Sequence, residues 1–465
     1  MAGRGNAPVH LGIVYRRRTE EKRMGDVNQR TVTRAGAHDA VPEGDRRVDR
    51  RELLRKGAAI GVGGTLASSL LAACGGGGAS GTSGPLTVWT QQAEATGYPA
   101  VFEDGGRRVV ANGKATAYKY TTVDPSNYNT KFKTACIGGL PPDVGYMATD
   151  GNYPAFVEAN LLEPLDSVNV ELPNVPPSVM DTLKIDGTRY AIPLDLNNLT
   201  IGYNKSIFAK LGLSVPSTFE ELLALNKPLR DAGYQPLALP AKDRWACSDI
   251  FLACLAYTDT SGGDALPQAE RSELPWTAEP FVQAAEMAAE LQKSGLLVDG
   301  VSSLDVLGTI TLFGNEKAAM MYPVGNFFAG LIDQANQTDF EYGIFPVPPP
   351  TAGIKARATG GAAILWAVPA KAKNKEGAFD FLKEMNKPET AKLLLAKGFI
   401  PAGAYDDPPE LSGVLAEMLK LQPDVARRGL YVPAVSTALE NSMTALLSGD
   451  GSAADVIKQI QSAAA

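Results

Sequence analysis

The sequence predicts an α/β protein that follows a removable N-terminal leader. Short apolar segments with strand-like patterning occur in the body of the chain, and segments with helical spacing alternate with them. Hydrophobic residues make up 45% of the 465 residues and charged residues 20%, which is an ordinary balance for a globular protein. This length accommodates a leader and about two or three domains of ~100–200 residues each.

Three segments have the composition of strands. Leu86–Thr90 is short and apolar, residues 117–123 alternate in polarity, and residues 143–147 follow a pair of prolines. Strands that alternate with helices pack into layered sheets, so these segments indicate α/β architecture.

Two segments have the spacing of amphipathic helices. Residues 217–220 (Ser-Thr-Phe-Glu) predict a capping box, and Leu222 and Leu223 continue an apolar face after it. Residues 374–386 predict a second helix that ends before Pro388, and a further helix then runs to Gly398. The apolar residues of the 374–386 helix share one face: Ala378, Phe381, Leu382 and Met385.

Charge and histidine content exclude several classes of function. Residues 1–73 hold 14 basic and 8 acidic residues, which leaves 30 basic and 43 acidic residues in 74–465, a formal net charge of −13. An acidic body argues against nucleic acid as a partner, because lysine and arginine must neutralise phosphates. His10 and His38 both precede residue 73, so a processed chain has no Ser-His-Asp or Cys-His catalysis and no imidazole metal site. We expect no cofactor and no metal.

The N-terminal region has the pattern of a secretory signal. A basic segment at 49–56 precedes the uncharged, apolar residues 57–73, which end at Cys74. The apolar run is shorter than the roughly 20 residues that a membrane-spanning helix needs. Residues 75–84 are rich in glycine and serine and predict a flexible tether.

Two resemblances refine the leader. The Arg50-Arg51 pair resembles a twin-arginine export signal, with the general secretory route as the alternative. The Leu-Ala-Ala-Cys sequence that ends at Cys74 resembles a lipobox, which implies that the Cys74 thiol is lipidated and becomes the new N-terminus. A plain signal peptide is the alternative. Met24 is a second candidate start, because signals normally begin close to the N-terminus.

The three cysteines of the body form no C-x-x-C motif, which excludes a zinc ribbon or a thioredoxin-like site. Cys247 and Cys254 are seven residues apart, and in a helix their Cα atoms would lie ~10 Å apart, too far for a disulfide. Buried free thiols are the expected state, and the pairing of Cys136 with either of them stays open.

Four ordered groups of motifs span about residues 85–465, and as a set they resemble the family 1 extracellular solute-binding proteins of ABC transporters. Each motif is weak when it stands alone, whereas the ordered set is specific. The groups are LTVWTQQ at 86–92; LPPDV at 140–144 with MATD at 147–150 and LLEPLD at 161–166; YAIP at 190–193 with IGYNK at 201–205; and FGNEKAAM at 313–320 with Gly360-Gly361 and FIP at 399–401.

The resemblance implies a two-lobed periplasmic-binding-protein fold with interleaved lobes and a ligand cleft between them. Residues 1–73 are then the extension and signal, and 74–84 are the lipidated cysteine and tether. Lobe one is 85–194 plus 362–404, and lobe two is 195–361 plus 405–465. The implied hinge crossings lie near 193–197, 359–361 and 400–404, where the backbone absorbs lobe closure.

The resemblance also places candidate ligand contacts. A neutral sugar requires hydrogen-bonding carboxylates and amides together with aromatic platforms. Met147 stands where maltose-binding members of the family have an aromatic residue, and Phe327 where the family often has tryptophan. The Met147 departure weakens stacking at that position and argues against maltose itself, whereas Phe327 keeps an aromatic face and loses only the indole N–H. The first-lobe candidates are Gln91, Gln92, Glu94, Met147 and Asp150. The candidates in the crossings and the second lobe are Asp195, Asn197, Asn198, Trp245, Asp249, Asn326, Phe327, Gly360, Gly361 and Tyr431.

The function expected from this resemblance is that of a non-enzymatic solute-binding subunit of an ABC importer. Its partners would be a carbohydrate or polyol, the membrane subunits of the permease, and the outer face of the cell membrane (or the periplasm) through a lipid anchor. A monomer is expected. The alternatives are a secreted carbohydrate-active hydrolase, a scaffold lipoprotein, or a binding protein for another solute such as glycerol phosphate, although Arg244 is the only cation near the proposed cleft.

Overall fold

The computed structural model describes the body of the chain. The chain divides into two compact units, Met1–Gly77 and Gly78–Ala465, and all described residues belong to the second unit. The predicted signal, the lipidation site at Cys74 and the tether up to residue 83 lie outside the described residues. The described ranges are 84–92, 97–148, 152–335, 340–405, 413–421, 425–427 and 432–465.

Strands and helices alternate along the body, so the predicted α/β class is confirmed. The strands are β1 Leu86–Thr90, β2 Tyr118–Thr122, β3 Val144–Met147, β4 Lys184–Ile185, β5 Thr188–Arg189, β6 Ala191–Asn204, β7 Gln235–Ala238, β8 Ala318–Val324, β9 Tyr342–Phe345, β10 Thr359–Ala367, β11 Ile400–Pro401 and β12 Ala426–Arg427.

The helices cover the sheet and fill the connections between strands. They are α1 Tyr98–Ala111, α2 Pro125–Gly138, α3 Asn152–Glu158, α4 Pro177–Thr182, α5 Lys205–Leu211, α6 Phe219–Ala224, α7 Asn226–Asp231, α8 Trp245–Thr258, α9 Ala265–Glu270, α10 Glu279–Lys293, α11 Val306–Gly314, α12 Asn326–Ala335, α13 Lys375–Glu384, α14 Pro388–Ala396, α15 Gly413–Leu421, α16 Pro433–Ser448 and α17 Ala453–Ala464.

One long strand joins two halves of the sheet. The strand order is β2-β1-β3-β10-β6-β8-β7, in which β1 is parallel to β2 and β3, and β7 is parallel to β8. Strand β6 pairs with β10 from Ala191 to Leu199 and then with β8 and β9 from Thr200 to Asn204. It therefore crosses from the half that contains β1–β3 to the half that contains β7–β9, as in two-lobed binding proteins.

The crossing has three strands, because β10 and β11 both pair antiparallel with β6. The β6–β10 register shifts at Ile364, where a bulge lies opposite Asp195. Nearly every residue of β6 is buried, including Asp195, Asn197, Asn198 and Thr200. Polar groups that are buried in a strand need partners, so this crossing is where candidate functional chemistry concentrates.

The predicted capping box exists but is displaced by one residue. Helix α6 begins at Phe219, so Thr218 rather than Ser217 is its N-cap, and Glu221 rather than Glu220 is the third helical residue. The Thr218 hydroxyl accepts from the Glu221 N–H, while the Glu221 carboxylate accepts from the backbone N–H groups of Ser217 and Thr218. The prediction was wrong by one position because Ser217 and Thr218 are both acceptable caps, and only the helix start distinguishes them.

The predicted helix of residues 374–386 is confirmed as α13, with Asn374 as its N-cap. Its four apolar residues are all buried, and α14 begins at Pro388. Cys136, Cys247 and Cys254 are buried free thiols, so Cys136 forms no disulfide. In the described part of the chain, no helix is both long and apolar enough to cross a membrane.

Candidate functional site

Asp195 lies in the middle of the crossing and is completely buried. Its carboxylate accepts a hydrogen bond of 2.5 Å from the Tyr98 hydroxyl and one of 3.1 Å from the Ile364 N–H at the bulge. Burial raises the pKa of Asp195 to about 7, although both hydrogen bonds oppose the rise. These bonds connect the first crossing strand to α1 and to β10, and the predicted ligand role of Asp195 stays a prediction.

Three amides surround the same crossing. Asn198 donates to the Met418 carbonyl of α15 at 2.7 Å, and Asn326 donates to the Leu196 carbonyl of β6 at 3.0 Å. The Oδ1 atoms of Asn197, Asn198 and Asn326 are buried and accept no hydrogen bond from any residue that the structure describes. A buried acceptor without a hydrogen bond lowers the stability of the folded state by about 1–3 kcal/mol. The three Oδ1 atoms can therefore accept hydrogen bonds from a bound molecule, or from protein groups that approach when the lobes rotate.

Two glycines allow the strands and α12 to approach these amides. A Cβ atom on Gly360 would lie 2.7 Å from the Asn197 carbonyl oxygen, and one on Gly325 would lie 2.9 Å from the Asn198 carbonyl oxygen. Neither glycine has a positive φ, so glycine is required at these positions because a Cβ atom would not fit and not because of the backbone conformation. Gly360 and Gly361 pair directly with Asn198 and Asn197 across the two strands, so the predicted glycines lie at the crossing.

An aromatic pair lies beside this crossing in the second half of the molecule. Trp245 is the first residue of α8 and is partly exposed, and its ring stacks on Phe328 of α12 with centroids 6.0 Å apart. Phe328 lies two residues after Asn326 on α12, the helix that packs on β6 and β8. Asp249, one helical turn after Trp245, is almost fully buried. Sequence reasoning missed Phe328, although its position next to Phe327 in an apolar segment was a usable signal.

Three of the predicted first-lobe contacts lie at the ends of β1 and β3. Gln91 and Gln92 directly follow β1 and are partly exposed, and the Gln92 N–H donates to the Thr90 hydroxyl at 3.0 Å. Met147 ends β3, pairs with Leu365 of β10 and is fully buried in the hydrophobic core. Ligands of α/β proteins bind outside the carboxyl ends of parallel strands, which is where Gln91 and Gln92 lie, whereas the Met147 side chain has no exposed surface. The ligand roles of all three stay predictions.

Some predicted contacts are not placed. Glu94, Asp150 and Tyr431 lie outside the described residues, as does the side chain of Phe327. Their roles therefore stay predictions. Within the described ranges, no group of three or more Cys, His, Asp or Glu side chains could hold a metal ion.

Comparison with known proteins places the chain in a family. Residues 117–392 match the family model described as bacterial extracellular solute-binding protein, which is more than half of the chain. The chain therefore belongs to the bacterial extracellular solute-binding proteins, as the ordered motifs predicted. Members of this family bind substrates.

Curated relatives are distant. A multiple sugar-binding protein of Streptococcus mutans is 27% identical over 214 residues, which cover 43% of this chain and 48% of the relative. A diacetylchitobiose binding protein of Streptomyces coelicolor is 25% identical over 292 residues, which cover 58% of this chain and 61% of the relative. An uncharacterised ABC transporter extracellular-binding protein of Pyrococcus horikoshii is 25% identical over 206 residues, with 41% and 46% covered. The chain spans about half the length of the first relatives it matches.

Solved structures share the fold over nearly their whole length. A chitin oligosaccharide binding protein superposes with a TM-score of 0.70 at 21% identity and covers 82% of this chain and 98% of its own. A solute-binding protein in complex with raffinose gives a TM-score of 0.67 at 21% identity, with 82% and 100% covered. At this level of identity the likeness establishes the two-lobed fold alone.

Proposed function

We propose that this protein is the extracytoplasmic solute-binding subunit of an ABC importer, and that it captures a carbohydrate and delivers it to the permease. The observation that carries the proposal is the partly exposed Trp245 ring, which stacks on Phe328 of α12, the helix that begins with Asn326. Aromatic faces and neutral amides match the C–H faces and hydroxyl groups of a sugar. Relatives named for sugars, chitin oligosaccharides and raffinose support the same ligand class.

We assign a distinct role to each part of the site. Trp245 stacks on a sugar ring and Phe328 supports it from behind, while Asn197 and Asn326 exchange hydrogen bonds with ligand hydroxyls. Phe327 and Asp150 are proposed to add a second platform and a carboxylate acceptor. The lobe boundaries given above belong to the same proposal, with the ligand enclosed as the two lobes rotate about β6, β10 and β11.

The proposal assigns no catalysis to this chain. In this proposal binding and release account for the whole activity, in keeping with a family of solute-binding proteins. The proposed partners are the carbohydrate and the membrane subunits of the importer, and the proposed state is a monomer, lipid-anchored at Cys74 on the outer face of the cell membrane.

A thermal-shift screen across about fifty saccharides and polyols is the first test, since a ligand that binds only the folded state raises the melting temperature. With a ligand identified, Trp245→Ala and Asn197→Ala are expected to weaken binding by roughly ten- to a hundredfold, because lost stacking or a lost buried hydrogen bond costs about 1–3 kcal/mol. Calorimetry measures the affinity, and Asp150→Ala is tested alongside.

The matched control is Tyr234→Ala, which removes a partly exposed aromatic ring that precedes β7 and packs on Lys210. This variant is expected to bind normally. Circular dichroism and ligand-free melting must show that every variant is folded. Normal binding by both Trp245→Ala and Asn197→Ala would contradict the assignment of the cleft, although the fold would stand.

A further inference from the structure

The chain enters the described body at one end of the first half of the sheet. This end carries two exposed apolar side chains that are close together in the chain. Six large apolar side chains are more than about a third exposed in the described residues, and two of them are only three positions apart. Ile137 is 60% exposed at the end of α2, and Leu140 is 71% exposed in the turn that follows. Single exposed apolar residues are ordinary, so this pair is of interest because of the charged residues near it.

Lysines surround this pair. The Lys371 ammonium donates to the Ile137 carbonyl at 3.2 Å, Lys133 lies one helical turn before Ile137, and Lys373 lies two residues after Lys371. All three are exposed, and none forms an ion pair with a carboxylate in the ranges that the structure describes. The apolar turn therefore has a basic rim on a body whose formal net charge is −13.

The nearby acidic groups do not cancel this rim. Glu376 pairs with Lys114 at 2.6 Å, and Glu163 pairs with Lys375 at 2.7 Å. Asp143 is buried and accepts hydrogen bonds from the N–H groups of Lys373 and Asn374. Glu376 and Glu163 are thus paired with other lysines and Asp143 is buried, so none of these three carboxylates forms an ion pair with the side chain of Lys133, Lys371 or Lys373.

The point at which the chain enters the described body is on this same end. The Asn374 side chain donates to the Gly84 carbonyl at 3.0 Å, and Thr87 at the start of β1 bonds to Asp143 at the start of β3. Lys371 and Lys373 immediately precede Asn374. Gly84 is ten positions after Cys74, so at most about 35 Å of extended chain joins Cys74 to Gly84.

We propose that Ile137, Leu140 and the rim of Lys133, Lys371 and Lys373 form a docking surface for the anionic face of the lipid bilayer. The apolar turn enters the headgroup boundary and the lysines lie against lipid phosphates. The inference rests on the proposed lipid anchor at Cys74, which brings the surface to the bilayer.

The test uses the full chain, processed in cells and reconstituted into vesicles that contain phosphatidylglycerol. An environment-sensitive maleimide is attached to Ile137→Cys or, as a matched control, to Leu307→Cys, an apolar position on α11 that is 69% exposed. The native thiols stay unlabelled, because burial raises the pKa of Cys136 and of Cys247 to about 12 and also raises that of the buried Cys254. Emission and quenching by brominated lipid report insertion.

A blue-shifted, lipid-quenched emission at position 137 but not at position 307 is the expected result. The shift should disappear in vesicles of phosphatidylcholine alone. It should also weaken in Lys371→Glu with Lys373→Glu, since each lysine near an anionic surface favours docking by roughly fivefold. A vesicle-bound protein whose two labels behave alike overturns the docking surface and leaves the solute-binding proposal intact. Mass spectrometry that finds no lipid on Cys74 refutes the anchor and, with it, this inference.

Discussion

At the scale of single residues, Asp195 is the group whose chemistry depends most on its surroundings. It is a carboxylate on a strand that is closed on both edges, with Tyr98 and the Ile364 N–H as its donors. The Tyr98 ring in turn stacks on Phe399, with centroids 3.9 Å apart, just before β11. Asp195 is thus connected to α1, to β10 and to the segment before β11. A change in its ionisation should therefore affect all three.

We therefore predict that Asp195 makes the stability of the protein depend on pH. The pKa of Asp195 in the folded state is about 7, which exceeds its value in the unfolded chain. The contribution of Asp195 to the free energy of unfolding is therefore fully present below about pH 4 and is lost as the pH rises through about 7. The total loss is on the order of 4 kcal/mol. Asp195→Asn should flatten this part of the profile. Urea unfolding of both proteins at several pH values between 4 and 8 measures the difference.

Other carboxylates act in the opposite direction, which is why the comparison must be between variants. Hydrogen bonds and ion pairs lower the pKa of Glu384 despite its burial, and Gln235 and Arg230 lower that of Asp299. Their stabilisation is lost as the pH falls. Parallel profiles for wild type and Asp195→Asn would show that Asp195 is not the group responsible.

At the scale of elements, the contact between β6 and β10 depends on the absence of a side chain at one position. We predict that Gly360→Ala destabilises the protein by about 1–3 kcal/mol, because the new Cβ would lie 2.7 Å from the Asn197 carbonyl oxygen and backbone atoms must move. Affinity for a ligand should fall as well, since the crossing strands are displaced. Thermal or urea unfolding measures the first effect and calorimetry the second.

Gly330→Ala is the matched control for that substitution. Gly330 lies in α12 and is exposed, and a Cβ atom added to it would meet no other atom within 4 Å. Replacing glycine by alanine inside a helix should stabilise it by roughly 0.5–1 kcal/mol. If Gly360→Ala behaved like Gly330→Ala, the close approach of the two crossing strands would not be a constraint.

At the scale of the whole molecule, the leader carries the predicted export and lipidation signals, whereas the body carries the solute-binding fold. We predict that Arg50-Arg51→Lys-Lys blocks export, and that the mature protein begins with a lipid-modified Cys74. The reason is that the paired arginines and the Leu-Ala-Ala-Cys sequence stand on either side of an uncharged apolar segment. Cell fractionation and mass spectrometry of the mature N-terminus measure the two effects.

The outcomes of that experiment are separable. Unchanged secretion after the arginine exchange points to the general secretory route and leaves lipidation standing. An unmodified Cys74, or a leader that is still attached, contradicts the lipoprotein assignment. Neither outcome bears on the family of the body, which is established by residues 117–392.

Much of the fold could be predicted from the sequence because its signals are local. Strand β1 has the predicted bounds, and α13 buries the four apolar residues that its 3.6-residue period placed on one face. The capping box moved by one position because Ser217 and Thr218 are chemically equivalent caps. Ordered motifs, each weak alone, were sufficient for the family because their order along the chain is itself specific.

The sequence by itself thus determined the α/β class, the family and the list of polar and aromatic residues from which a site can be built. Only the tertiary structure decided that Asp195 bonds to Tyr98, that Phe328 lies behind Trp245, and that Ile137 and Lys371 adjoin the entry of the chain at Gly84. The physical reason is the separation along the chain of the residues that interact. Periodicity and capping act within a few residues, whereas these contacts join residues tens to hundreds of positions apart and exist only when the strands have paired.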